Sequence, residues 1–237
     1  MNLYSTVNKW VVVLVFMAKR KGRRRRQTKK CPERALTHAL CFHHCRLFGR
    51  DPYPWLCASA ASAANTSALD TAFAELAAIV RKHGTEEDVV SRRLQSIAAW
   101  PPQTSYYAAV VRRPGISTVC EVGFNAGHSA VVLLQANPSV RLETFDLFSY
   151  PHSADSLNYV MRRFPGRVTP HKGRSAQTVP AASLSARCDL VIIDGRHEFE
   201  AVVEDMLNFR RLASPDALFL VTAARHSSPR SQTLSTA

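Results

Sequence analysis

The chain has 237 residues, 46% of them apolar and 21% charged, which excludes a fibrous or wholly disordered protein and suffices for one substantial core. Its formal charge of +13 is lopsided: residues 1–50 hold 13 Lys/Arg against the single acid Glu33, while the other 187 residues hold 18 basic and 17 acidic groups. The basicity therefore belongs to a tail, and the nearly neutral remainder gives no electrostatic reason to seek an acidic partner.

In chain order the tail comes first. The apolar run Trp10 to Ala18 is nine residues long, about half of the roughly 20 that a spanning helix needs. It runs into Lys19-Arg20-Lys21 and Arg23 to Arg26, where a signal peptide would present small residues and a cleavage site. A leader without defined structure is the first reading and membrane association through residues 10–18 the second. The run KRKGRRRR would attract phosphates without reading sequence, as a localisation signal or a nucleic-acid patch, although a solvated tail is the simpler account. Cys31, His38, Cys41, His43, His44 and Cys45 have the chemistry of zinc ligands but spacings that fit none of the common patterns. The Ala/Ser-rich stretch Ala58 to Ser67 reads as a linker. Residues 1–64 are thus expected to be a basic tail and linker, and 65–237 the folded domain.

Leu69, Phe73, Leu76, Ile79 and Val80 recur at helical spacing, and the helix should stop near His83-Gly84. A second helix is expected from Thr85, whose hydroxyl can cap a first turn rich in acids, with Pro101-Pro102 closing it. A third, Ser105 to Arg112, ends before Pro114-Gly115. From Ser117 the pattern alternates between short apolar runs and helical segments through ALFLV, giving five readable strands. That alternation specifies a doubly wound α/β fold, a mostly parallel sheet over residues 117–222 with helices on both faces, preceded by helices over 67–112. Cys120 and Cys188 fall inside strand-like runs among six irregularly spaced cysteines, which reads as reduced core thiols and an intracellular protein of the cytoplasm or nucleus.

The run Glu121-Val122-Gly123-Phe124-Asn125-Ala126-Gly127-His128-Ser129 leaves a buried strand and enters a helix, with two glycines that permit positive φ and close approach of backbone to a ligand. A dinucleotide loop would want three glycines as G-x-G-x-x-G. Here an acid precedes a Gly-x-x-x-Gly spacing, which suits a zwitterion better: Glu121 can face an ammonium while loop N–H groups and Ser129 face a carboxylate. Asp146 ends the next strand 23 residues after Gly123, where an acid can accept from ribose hydroxyls or simply cap the following turn. Gly173 and Ser175 form a turn and helix start after the following strand. Asp194 leaves the C-terminal end of the apolar run Cys188 to Ile193, with His197 three residues on, where open α/β sheets place ligands.

This pattern resembles the first motif of class I S-adenosylmethionine-dependent methyltransferases, in particular small-molecule O-methyltransferases of the catechol and macrolide-sugar kind, over Ser105 to Val221. The resemblance implies S-adenosyl-L-methionine as cofactor, held by Glu121, Gly123, Asn125, Gly127, Ser129, Asp146, Gly173, Ser175 and Asp194, with the G-x-S turn bordering adenine. It implies methyl transfer to a hydroxyl of a small molecule, with Asp194 beside the sulfonium and His197 taking the acceptor's proton; a solvated histidine at a helix start is the competing account of His197. Such transfer is an in-line displacement that needs alignment plus a base or metal. Metal-using relatives place further hard ligands after the fifth strand, whereas Val221-Thr222-Ala223-Ala224-Arg225-His226 offers no carboxylate, so no tightly bound metal is expected. The chain stops about 15 residues after that strand, where relatives continue through a helix and an antiparallel pair of strands. The expectation is a bare sheet edge covered by a homodimer or by the N-terminal helices. Two other readings follow: a truncated, inactive protein binding cofactor or a partner subunit, and a domain delivered to nucleic acid by its basic tail.

Overall fold

In the computed structural model the described residues are 11–15, 66–84 and 101–222. They form β1 (Val11–Val15), α1 (Thr66–Lys82), α2 (Pro101–Val111), β2 (Thr118–Val122), α3 (His128–Ala136), β3 (Arg141–Asp146), α4 (Ser153–Arg163), β4 (Val168–Lys172), α5 (Ser175–Ala181), β5 (Cys188–Ile193), α6 (Phe199–Phe209) and β6 (Ala213–Thr222). The helix expected from Thr85, the Cys/His cluster and the basic run lie outside the described residues. The helix expected over Ser105 to Arg112 begins earlier, at Pro101, because a proline's missing N–H and preset φ cost nothing in a first helical turn. Among the described residues no helix is long and apolar enough to cross a membrane.

The strands form one parallel sheet in the order β1-β6-β5-β2-β3-β4. Five strands were legible as βαβ alternation. The sixth, β1, comes from the stretch read as tail: Val11 to Val15 pair with Leu218 to Thr222 along the edge expected to be bare. An all-apolar run bounded by cations is too short to signal by periodicity which element it joins, and here it serves as a sheet edge.

Because side chains alternate along a strand, the sheet divides its residues between two cores. On one face Val119, Leu142, Leu190, Ile192, Leu218 and Leu220 pack against α1, α2, α3 and α4. On the other, Cys120, Phe145, Val191, Ile193, Phe219 and Val221 meet Val179 of α5 and Val202 and Phe209 of α6. The α3 sequence HSAVVLLQA has almost no polar face, and Val131, Val132, Leu133 and Leu134 are all buried. Each such side chain contributes roughly 1.5–3 kcal/mol of burial free energy, which overrides the modest helix propensity of two valines. Arg167 then fixes the exit of α3, donating to the carbonyls of Leu134, Asn137 and Val140 at 2.9, 2.6 and 2.9 Å.

Cys120 and Cys188, expected as separate thiols, are joined by a disulfide in the second core, with Cα atoms 5.7 Å apart. Pairing β2 beside β5 brings the two residues within bridging range, a proximity that their 68-residue separation hides.

A candidate cofactor site at the C-terminal ends of β2, β3 and β5

Parallel pairing of β2 with β3 and β5 places Glu121 opposite Thr144 and Ile192, and carries Gly123, Asp146 and Asp194 out of the same end of the sheet. The loop between β2 and α3 is held in a left-handed path by Gly123 (φ +99), Asn125 (φ 51) and Gly127 (φ 81). A Cβ on Gly123 would overlap the Asp194 carbonyl, with its carbon at 2.7 Å, so glycine permits the two strand ends to approach. Gly127 is closed in by Phe124 and Val160, at 2.7 and 3.0 Å from a built Cβ.

Asp146 organises this loop. Its Oδ2 accepts from the backbone N–H groups of Phe124 (2.7 Å) and Asn125 (3.1 Å), and its Oδ1 accepts from that of Phe148 (2.7 Å). A carboxylate offers about four acceptor positions, so three are taken by protein. The turn-capping role expected of Asp146 is present, and it extends to the glycine loop between β2 and α3. Asn125 Oδ1 accepts from the His152 ring at 3.3 Å when Nε2 carries the proton.

Glu121 is fully buried, and neither carboxyl oxygen has a hydrogen-bond partner; the hydroxyl of Thr144, its cross-strand neighbour, is also unpaired. Burial pushes the Glu121 carboxyl up to about 8, opposed by the nearby Ser129 and Thr144 hydroxyls, which stand outside hydrogen-bond geometry, and reinforced by the charges of Asp194 and Asp146. Asp194 is also raised by burial, with Thr222 and His197 opposing the shift. The Thr222 hydroxyl donates to Asp194 Oδ1. His197 Nε2 stands 4.0 Å from that oxygen, too far for a hydrogen bond, and its side chain is 53% exposed.

The remaining expected residues divide. Ser129 is buried in the first turn of α3 beneath Glu121. Gly173 (φ +141) follows β4, and its N–H donates to the Asp146 carbonyl at 2.9 Å, tying that turn to the β3 end. Ser175 opens α5, and its hydroxyl opposes the upward shift that burial gives the Asp205 carboxyl of α6. His128, at the N-terminus of α3, is pushed down to about 4 by burial and by His152, and packs edge-on against Phe73 at 5.3 Å.

Sequence reading missed three groups here. Tyr107 of α2 is fully buried, its phenol pushed up by burial and by the charges of Asp194 and Glu121. Gln103 lies one turn earlier and is bonded to it at 3.2 Å. Thr222 reached Asp194 unannounced at the end of β6. Only the i, i+4 spacing of Gln103 and Tyr107 on a helix was available as a signal. Among the described residues no three His, Cys, Asp or Glu side chains converge as a metal site would require.

Residues 120–222 match the family described as a methyltransferase domain. The sheet order is that of a doubly wound parallel α/β fold. An O-methyltransferase of Aspergillus flavus, imqG, is 24% identical over 98 residues, which are 41% of this chain and 40% of that protein. The O-methyltransferase TomG of Streptomyces achromogenes, involved in tomaymycin synthesis and solved with S-adenosylmethionine, superposes with a TM-score of 0.51 at 18% identity, covering 81% of this chain and 74% of that one. The methyltransferase PaMTH1 of Podospora anserina, solved with S-adenosylhomocysteine, gives 0.49 at 15% identity, covering 82% and 73%.

Proposed function

We propose that this domain binds S-adenosylmethionine and catalyses transfer of its methyl group to a hydroxyl of a small molecule. The observation that carries the reading is the buried, unpartnered Glu121 carboxyl beneath a left-handed glycine loop. A buried charge without a partner costs several kcal/mol, and a ligand ammonium would offset that cost. The family match and the cofactor and acceptor chemistry named for TomG and imqG support the same reading.

Bound there, S-adenosylmethionine supplies an electrophilic methyl on sulfur. The chain's own work is placement and proton handling. Glu121 and Ser129 face the amino-acid end, the loop amides are held in register by Asp146, and Asp146 Oδ1 keeps one acceptor position for a ribose hydroxyl. Asp194, fixed by Thr222, sits at the mouth of the strands, and His197 is exposed beside it, its Nε2 4.0 Å from Asp194 Oδ1. His197 thus has the freedom to accept a proton from an acceptor hydroxyl, and aligning the reacting atoms is the larger part of the catalysis.

The test is calorimetric titration of the full chain with S-adenosylmethionine, followed by a search for S-adenosylhomocysteine production over a panel of hydroxylated acceptors. Saturable binding weakened about tenfold or more in Glu121→Gln is expected, with turnover abolished in Gly123→Arg. A chain that shows no saturable binding sinks the cofactor reading. Binding without turnover across the panel favours the inactive, cofactor-binding alternative.

A further inference from the structure

Gln103 and Tyr107 lie one turn apart on α2, over the same sheet face as Glu121 and Thr144. Both are buried, at 6% and 0% exposure, yet Gln103 Oε1 has no donor. A buried amide carbonyl without a donor costs about as much as a lost hydrogen bond, so its retention calls for an occupant. The direction of the Gln103–Tyr107 bond identifies which end of the amide is free. The Tyr107 phenol, kept neutral by burial and by the charges of Asp194 and Glu121, is the acceptor in that bond. The amide N–H therefore donates to Tyr107 Oη at 3.2 Å, and the carbonyl Oε1 is the open group.

Buried acceptors without a partner on this sheet face are Glu121 Oε1 and Oε2, the Oγ1 of its cross-strand neighbour Thr144, and Gln103 Oε1, one turn from the Tyr107 phenol on which the Glu121 charge acts. They come from β2, β3 and α2, and no lysine or arginine bonds to any of them. An ammonium has three N–H donors to place and needs more than one acceptor. We propose that Gln103 Oε1 is a second acceptor for the cofactor's amino group, complementing Glu121, and that Tyr107 is a positioning residue that aims it. The assignment rests on the cofactor reading above and adds a determinant from α2, outside the glycine loop.

The experiment compares S-adenosylhomocysteine with its deaminated analogue, in which hydrogen replaces the amino group, at neutral pH on the full chain. Wild type should prefer the amine-bearing ligand. Gln103→Met should lose roughly tenfold against S-adenosylhomocysteine and change by less than about twofold for the deaminated analogue, the coupling expected of a direct contact. Tyr107→Phe should lose about threefold, again only for the amine-bearing ligand. Gln103→Glu, which keeps an acceptor oxygen at that place, should retain the preference for the amine. Equal weakening of both ligands in Gln103→Met, or loss of the preference in Gln103→Glu, overturns the proposal while leaving the cofactor reading standing. Failure of wild type to bind either ligand overturns the cofactor reading and this assignment together.

Discussion

Glu121 shows how one buried side chain can be arranged against stability. Its carboxyl is held near 8 when folded against an ordinary 4.5, so between those values the folded state carries the extra proton. Stability is therefore greatest toward pH 4.5 and declines as pH rises through about 8, by about a few kcal/mol in the ligand-free domain. Glu121→Gln should flatten that decline and raise the melting temperature at pH 9, while weakening S-adenosylmethionine binding; thermal melts at pH 5, 7 and 9 check it. A lower melting temperature at pH 9 would mean that the carboxylate is stabilised by the fold. Binding of a cation should also pull the carboxyl down and release close to one proton near pH 7, measurable as a dependence of calorimetric enthalpy on buffer ionisation.

At the scale of elements, the glycine loop is made by three strand ends meeting. Gly123 lets β2 pass against the Asp194 carbonyl, and Asp146 reaches from β3 to hold the loop N–H groups. Gly123→Ala combines a steric overlap with a positive φ and should cost about 2–4 kcal/mol, read as a fall in denaturation midpoint. Asp146→Asn keeps the shape but weakens three charge-assisted bonds, and about 1–3 kcal/mol is expected. Its hydrogen-exchange signature should be local, with faster exchange at Phe124, Asn125 and Phe148 than in α3. Uniform loss of protection would show that Asp146 supports the whole core instead.

At the scale of the molecule, β1 covers the β6 edge by parallel pairing. Unpaired, that edge would present Leu218 to Thr222 as a template for another chain. Deleting residues 1–20 should therefore lower the melting temperature by several degrees and produce concentration-dependent self-association in light scattering. A deletion that stays monomeric with an unchanged melt would show that β1 adds nothing to the edge. The Cys120–Cys188 bridge closes a 68-residue separation, and the chain-entropy account gives it about 4 kcal/mol of stabilisation. Comparing melts with and without reductant tests that contribution.

The fold class, the five-strand alternation and the glycine loop were legible in the sequence, because βαβ periodicity and positive-φ glycines are written in contiguous residues. The places of Glu121, Asp146 and Asp194 near the C-terminal ends of β2, β3 and β5 were legible too, because each follows or closes an apolar strand-like run. Four things were decided only in three dimensions: the company Tyr107 and Gln103 keep, the hold of Thr222 on Asp194, the Cys120–Cys188 bridge, and the recruitment of Val11–Val15 as a sixth strand. Each depends on a contact between segments far apart in the chain. Such contacts have no local signature: a valine run reads the same whether it pairs with an edge or trails into water, and a tyrosine in an apolar helix reads as core until the carboxylates facing it are known.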